Sequence, residues 1–168
     1  MKEIPLTRGY VALVDDEDYE RVSAHKWHVN IRRRADGSQY VRAQRHICRA
    51  DGVNTLQYMH RFVLEASAGI EVDHIDGDSM NNCRNNLRPC SKAQNMCNQR
   101  PQGCGTSRLK GVYWHKRAGK WLAQIVCNNK NEYLGLFTSE EEAGAAYNNA
   151  AVRLFGNFAR LNDVGGGR

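Results

Sequence analysis

The stretch Val72-Asp73-His74-Ile75-Asp76-Gly77, followed by Asn81-Asn82-Cys83-Arg84-Asn85-Asn86-Leu87-Arg88 and then by Asn95, decides how this chain is read. Hydrolysis of a phosphodiester asks for a nucleophilic water, stabilised charge on phosphate and help for the leaving oxygen. An imidazole with a near-neutral pKa can take the proton from water. A hard divalent cation held by oxygen ligands suits the phosphate and the leaving oxygen. His74 is the candidate base, and Asp73 and Asn95 are the candidate oxygen ligands. Asn86 is placed to hydrogen-bond to the backbone near His74 and fix the ring. Taken alone, an Asp-His pair is more often a surface turn, and Asn-rich stretches are usually loops. Asp76 reads as a turn former or a second ligand, and His60 as a helix cap or a neighbour of the site.

Charge is distributed unevenly around this stretch. The chain of 168 residues carries a net charge of +6. Residues 23–62 hold 8 Lys/Arg against 2 Asp/Glu, and residues 99–130 hold 7 against 0, whereas residues 63–98 hold 3 against 5. Two basic blocks thus flank the more acidic stretch with the Asp-His pair, a layout suited to a polyanion gripped on both sides and cut between. Two solvated basic faces are the plainer reading. No apolar run approaches the ~20 residues of a membrane span, and the start lacks the apolar region of a secretory signal, so a cytoplasmic protein is expected. None of the six cysteines forms a Cys-x-x-Cys pair. Free thiols are expected, with a zinc site or a disulfide as the alternative.

Residues 4–62 read as β-rich. Gly9–Val14 is a short strand, Asp15–Ser23 a helical turn opened by acidic residues, and Trp27, Val29 and Ile31 alternate as on a half-buried strand. Asp36-Gly37 and Asp51-Gly52 are turn signals on either side of a strand at Tyr40–Ile47. The polar face of this hairpin is expected to carry Arg32, Arg34, Arg42 and Arg45 for phosphate contact. His60–Ala68 reads as a helix, Ile70–Leu87 as a hairpin with a long polar loop, and residues 91–98 as a short helix. Residues 99–107 are linker-like. Three short strands follow at Leu109–Trp114, Lys120–Val126 and Glu132–Phe137. A capping box with Thr138 at the cap then opens an Ala-rich helix that ends at Gly156. Its Ala143, Ala146, Tyr147, Ala150 and Leu154 share one face.

Met59-His60-Arg61-Phe62, Val72–Gly77, Asn81-Asn82, Asn86-Leu87-Arg88 and Ala93-Gln94-Asn95 together resemble the HNH endonucleases of the ββα-metal fold, in their phage and intron-encoded homing branch. The resemblance covers about residues 50–98, and the Pro5–Trp27 region is similar to the β-rich leader of such proteins. It implies His74 as general base, Asp73 and Asn95 as metal ligands, and Asn86 as the residue that holds the histidine loop. Asn95 stands where many relatives have His, which favours a single hard ion such as Mg²⁺ (or Mn²⁺) over zinc. Cleavage to 5′-phosphate and 3′-hydroxyl ends is implied as well.

Residues 108–162 resemble the plant ethylene-response-factor DNA-binding domain. The resemblance rests on Gly111-Val112, Gly119-Lys120-Trp121, Ala123, Ile125, Leu134-Gly135, Phe137, Glu142-Ala143, Ala146-Tyr147, Ala150-Ala151, Gly156, Ala159 and Asn162. That family lays its sheet in the major groove, which implies Lys110, Tyr113, His115, Lys120 and Gln124 as groove-facing and Lys116 and Arg117 as phosphate contacts. Tyr113, His115 and Val126 stand where plant members usually have arginine, so base specificity does not transfer. Trp121 reads equally as core or as a DNA contact.

The expectation is an α+β chain: a β-rich HNH nuclease domain at 1–98, a linker at 99–107, a three-stranded antiparallel sheet packed on one helix at 108–162, and a tail at 163–168. Its expected activity is metal-dependent endonucleolytic cleavage of double-stranded DNA by a monomer of the homing type in a bacterial or phage-infected cell. The rivals are a DNA-binding regulator with an inactive nuclease fold and an RNA-binding module.

Overall fold

The computed structural model describes residues 1–33, 37, 39–48, 52–98, 106–127 and 129–165. Arg34, Cys104, most of the expected linker and the last three residues lie outside them. The chain divides into two compact units, Met1–Lys92 and Ala93–Arg168, and its small sheets are all built from antiparallel strand pairs.

In the first unit β1 (Lys2–Pro5) pairs with β2 (Val11–Val14), and α1 (Asp16–Ser23) follows. The acidic first turn of α1, Asp16, Glu17 and Asp18, complements the helix dipole. A three-stranded sheet in the order β3 (His28–Arg33), β4 (Gln39–Cys48), β5 (Asn54–Tyr58) comes next. A short α2 (Met59–Val63) leads to the hairpin of β6 (Glu71–His74) and β7 (Leu87–Cys90). The helix expected over His60–Ala68 thus stops early, because Glu65 takes φ 51° and turns the chain out of helical geometry. Strand β1 had no counterpart in the sequence reading. Lys2–Pro5 exposes three of its four residues, and only Ile4 turns inward, so no alternation marks it.

One core serves this unit. Ile4, Ala12, Val14, Val22, Trp27, Val29, Ala43, Met59, Val63, Val72 and Leu87 are buried together. Trp27 Nε1 donates to Val22 O at 2.9 Å, which satisfies the one polar atom of a buried indole. Strand parity corrects one expectation. Arg42 and Arg45 lie three apart on β4 and therefore point to opposite faces. Arg45 turns to the core side, where its guanidinium lies over Trp27 at 5.1 Å and Phe62 at 4.8 Å and its Nε donates to Gln57 Oε1 at 2.8 Å.

The 75–86 loop is bolted to the rest of the unit. Leu13 N donates to Met80 O and Asn82 N to Leu13 O, both at 2.8 Å. Arg84 clamps Asp18 through Nε to Oδ2 at 2.7 Å and Nη2 to Oδ1 at 2.9 Å, while Arg21 Nη2 reaches Oδ1 at 2.6 Å. Burial alone would push the Asp18 carboxyl up, but the two guanidiniums hold it below its ordinary value.

In the second unit α3 (Lys92–Cys97), from Ala93 on, is grouped with a sheet in the order β10 (Lys130–Phe137), β9 (Lys120–Cys127), β8 (Val112–His115) and with α4 (Glu140–Phe155). Helix α4 covers one sheet face with Ala143, Tyr147, Ala150 and Ala151, against Val112, Ala123 and Ile125. Its cap is Ser139, one residue later than expected: Ser139 Oγ accepts from Glu142 N at 3.0 Å, and the Glu142 carboxylate reaches back to Ser139 N and to Thr138 Oγ1. Gly111 takes φ 73°, and a Cβ there would meet Tyr147 Cδ2 at 2.3 Å and Gln124 O at 2.4 Å. Only glycine fits where the chain enters β8 under Tyr147.

Removing the Asp18 carboxylate leaves two guanidiniums without their buried partner. Asp18→Ala is expected to lower the unfolding free energy of the first unit by about 2 kcal/mol, the scale of lost charged hydrogen bonds, because Arg21 keeps Glu65 and Arg84 keeps Glu17; the loss is read as a lower urea midpoint for that unit. An unchanged midpoint would show that the Arg21–Asp18–Arg84 cluster carries no stability.

Candidate active site

Strand β6 ends with Asp73 and His74, both buried. The antiparallel register sets Asp73 opposite Arg88 and His74 opposite Leu87. Arg88 meets one carboxylate oxygen twice, Nη2 to Asp73 Oδ2 at 2.7 Å and Nε to the same oxygen at 3.0 Å. A guanidinium thus already balances the buried carboxylate.

The loop after His74 is closed by Asn86. Ile75 N donates to Asn86 O at 2.9 Å and Asp76 N donates to Asn86 Oδ1 at 3.0 Å. Asn86 Nδ2 in turn donates to Asp76 Oδ1 at 3.0 Å and to Asn81 O at 2.8 Å. Asp76 is the hub of this turn. Its carboxylate also accepts from Asp78 N at 2.7 Å and Asn81 Nδ2 at 2.9 Å. Burial raises the Asp76 pKa, but these donors outweigh it and the net shift is downward. A carboxylate with this many protein donors is a turn former.

His74 Nε2 lies 3.4 Å from Asn82 Oδ1. Asn82 Nδ2 donates to Met80 O at 3.0 Å, which orients the amide oxygen toward the ring. Asn82 is fully buried. The His60 ring stands edge-on to His74, with centroids 5.0 Å apart, and stacks on Tyr58 at 5.6 Å. His60 therefore neighbours the candidate base, and its side chain makes no cap bond at α2, whose N-cap is Tyr58. Burial, with Arg42 adding, lowers the His74 pKa against smaller opposing effects of Asn82, Asp76 and Asp73. Burial, then His74, Arg42 and Arg61, push His60 down to about 2. Both rings are neutral near pH 7, the state a proton acceptor needs.

Asp73, His74 and Asn86 thus come together within the first unit. Asn95 lies on α3, which is grouped with the second unit. Among the described residues Asp15, Glu17 and Asp18 form one acidic group whose ligand atoms lie within 4.8 Å of one another. Its buried member, Asp18, is already taken by Arg21 and Arg84. Among the described residues Cys48, Cys83, Cys90, Cys97 and Cys127 take part in no disulfide.

The sequence-derived DNA contacts are spread over both units. Arg32 is exposed on β3, opposite Tyr40. Arg42 is half-buried on the face away from Arg45. In the second unit Lys116, Arg117 and Lys120 are exposed around the β8–β9 turn, and Tyr113 is exposed on β8. His115 Nδ1 accepts from Ala118 N at 3.1 Å and so shapes that turn. Gln124 is half-buried, and its Oε1 accepts from Asn131 Nδ2 at 3.0 Å. Lys110 turns instead to α3, with Nζ donating to Cys97 O at 2.6 Å. Trp121 packs with the core under α4 and meets Trp114 edge-on at 5.1 Å. Sequence reasoning passed over Arg88 and Asn82 as partners of the motif. The Asp73–Arg88 pair would have been found only from the hairpin register.

Residues 57–97 match the family model described as HNH endonuclease. Over that stretch the chain is similar to a class of nucleases. An uncharacterized HNH endonuclease of Acanthamoeba polyphaga mimivirus is 27% identical over 159 residues, which cover 94% of this chain and 77% of that protein. An AP2-like ethylene-responsive transcription factor of Arabidopsis thaliana is 46% identical over 60 residues, 34% of this chain and 11% of that protein. A further AP2-like factor, from Oryza sativa subsp. japonica, is 44% identical over 60 residues, 34% of this chain and 9% of its own length. The chain spans about a tenth of the length of these plant relatives.

The buried imidazole pair makes the first unit sensitive to acid. His60 binds its proton near pH 6.5 when unfolded and only at about 2 when folded. Between those values the unfolded state holds the extra proton, so stability is full above pH 6.5 and falls as pH is lowered. Tyr58, His74, Arg42 and Arg61 surround the ring, and none offers it a negative charge near neutral pH. Urea midpoints of the first unit between pH 7.5 and 4.5 should decline, and His60→Asn should flatten that decline. An equal slope in both proteins would contradict a neutral buried His60.

Proposed function

We propose that this chain is a DNA endonuclease of the homing type, with the nuclease centre in the first unit and a DNA-gripping module at residues 108–162. One observation carries the reading: a neutral, buried His74 follows the buried Asp73 at the end of β6 and opens a loop tied shut by Asn86, within the stretch matched to the HNH endonucleases.

The donor chemistry fits one Mg²⁺ (or Mn²⁺). Asp73 offers a buried carboxylate, which Arg88 meets at Oδ2, and Asn95 offers an amide oxygen; hard oxygen donors of this kind suit these ions. Held by Asp73 and Asn95, the ion would supply Lewis-acid stabilisation to the phosphate and the leaving oxygen. The chain's own residues do the rest. His74 takes a proton as the water oxygen bonds to phosphorus and the bond from phosphorus to the 3′ oxygen breaks. The 3′ oxygen then takes a proton from solvent, which leaves 5′-phosphate and 3′-hydroxyl ends. Asn82, accepting from Nε2, sets the tautomer in which Nδ1 carries the lone pair. Asn86 holds the turn that follows the base.

Targeting would fall to the second module. Its basic turn at Lys116, Arg117 and Lys120 suits phosphate contact, and the sheet face of Tyr113 and Gln124 suits the major groove. Two modules on one DNA raise each other's effective concentration. A monomer acting in the cytoplasm of a bacterial or phage-infected cell is the matching setting.

Plasmid nicking in Mg²⁺ tests the reading. The wild-type chain should convert supercoiled plasmid to nicked circles, and His74→Ala should lose about 100- to 10,000-fold in rate. Equal cutting by both would remove His74 as the base, and no cutting by the wild-type chain would favour a DNA-binding regulator with an inactive nuclease fold.

A further inference from the structure

Helix α4 covers only one face of the sheet in the second unit. Alternate residues of a strand point to opposite faces, and Ala123 and Ile125 of β9 are buried on the α4 side. Leu122, Gln124 and Val126 therefore point the other way. The register carries this open face onto β10, where Leu136 lies opposite Leu122, Tyr133 opposite Gln124 and Asn131 opposite Val126. A shift in register between Tyr133 and Gly135 keeps Leu134 and Phe137 on the core side. The open face is rich in carbon: Val126 is 59% exposed and Tyr133 60%. Met96 of α3 borders it in a groove shared with Val126, without covering that side chain. Positive charge is gathered at one end, at Lys116, Arg117 and Lys120 around the β8–β9 turn. Strands β8, β9 and β10 contain no arginine.

Two amides meet in the middle of this face. Asn131 Nδ2 donates to Gln124 Oε1 at 3.0 Å, diagonally across the strand pair. That bond leaves Gln124 Nε2 as a donor and Asn131 Oδ1 as an acceptor. Reversing both amides would leave one donor and one acceptor as well. A donor beside an acceptor is the complement of adenine, whose major-groove edge shows the N7 acceptor and the N6 donor. Guanine shows two acceptors there, and its common reader is the side chain of arginine or lysine. Neither stands at the centre of this face. Val126 lies opposite Asn131 and Tyr133 opposite Gln124, so two exposed apolar groups flank the amides. The thymine paired with adenine carries a C5-methyl group on the same groove edge, and apolar contact is what recognises it.

We propose that the open sheet face of the second unit selects A·T base pairs in the major groove, with the Gln124–Asn131 pair reading adenine and Val126 and Tyr133 taking thymine methyl groups. The proposal rests on the DNA-gripping reading of residues 108–162 and deepens it, since it says which base pairs that module selects. Two kinds of contact divide the work. Lys116, Arg117 and Lys120 meet phosphate, which adds affinity for any duplex. The centre of the face meets base edges, which adds selectivity. The amides already hold one another, so less side-chain freedom is lost when they meet a base. A guanine in the same place would set the outward acceptor against O6 or N7 and leave it unpaired in the interface, and an unpaired buried polar group is costly.

Duplex binding by the full chain in EDTA tests this. Three duplexes of equal length are compared: one rich in A·T pairs of mixed order, the same duplex with uracil in place of thymine, and one rich in G·C pairs. The wild-type chain should bind the A·T duplex at least about tenfold more tightly than the G·C duplex. Uracil should weaken binding about fourfold for each methyl group contacted. Uracil keeps every hydrogen-bonding group of thymine, so its effect isolates the methyl. Gln124→Glu leaves no donor for adenine N7 and should erase the A·T advantage. The double variant Val126→Ser, Tyr133→Ser should bind the thymine and uracil duplexes alike, while Lys116→Gln should weaken all three by one factor. Thermal melting reports the fold of each variant, and the comparison of duplexes on the wild-type chain needs none of them. Equal binding of A·T and G·C duplexes, a G·C preference, or no effect of uracil would each overturn the proposal. So would full selectivity in folded Gln124→Glu and in the folded double variant, which would place the selection elsewhere in the chain. In those cases duplex binding weakened by Lys116→Gln would leave the DNA-gripping reading standing, whereas a wild-type chain that binds none of the three would remove that reading and this proposal together.

Discussion

Asn86 and Asp76 hold one another across the loop between β6 and β7, and the place of His74 follows from that bond pair. The Asn86 amide accepts from Asp76 N and donates to Asp76 Oδ1, so a single side chain fixes both the backbone and the carboxylate of the turn. Asn86 O closes the same turn through Ile75 N. Buried amide groups must find partners, and here each partner belongs to the turn that begins at His74. The bonds from Leu13 to Met80 and Asn82, with the Arg84 clamp on Asp18, then tie the loop to β2 and α1. The β-rich leader therefore acts as a frame for the loop.

Electrostatics around this frame are arranged in an uneven way. Asp73 is matched by Arg88 and Asp18 by Arg21 and Arg84, so each buried carboxylate has its cation. The two buried imidazoles stay neutral because burial and nearby positive charge oppose their protonation. The exposed basic turn of the second unit, Lys116, Arg117 and Lys120, has the polarity that the proposed phosphodiester substrate asks for.

Much of this was legible from patterns of one or two turns. The alternation of Trp27, Val29 and Ile31, the hairpin expected over Ile70–Leu87 and the amphipathic face of α4 follow from local periodicity, which the core preserves, whereas Asp36 and Asp51 of the two Asp-Gly turns lie outside the described residues. Failures came where local rules were silent or misapplied. Helix α2 ends at Val63 because of one positive φ at Glu65, and no composition signal marks that. Arg45 was set with Arg42 although strand parity divides them. The cap moved from Thr138 to Ser139 because both residues offer a hydroxyl and Glu141 and Glu142 both offer a carboxylate. At the site, Asp73, His74 and Asn86 were legible as a motif, whereas Arg88 and Asn82 needed the register and the loop path. The second unit shows the same division. Gly111 was part of the recognised pattern, but its necessity lies in the approach of Tyr147 and Gln124 O.

The central claim of the proposed mechanism is that a divalent ion binds at Asp73, next along β6 to the proposed base His74. Paramagnetic Mn²⁺ titrated into the full, isotopically labelled chain reads this directly, through NMR line broadening at side-chain resonances. The account predicts selective broadening at His74, Asp73 and the Asn95 amide at substoichiometric Mn²⁺, reversed by excess Mg²⁺. Broadening confined to Asp15, Glu17 and Asp18, with His74 and Asn95 unaffected, would contradict it.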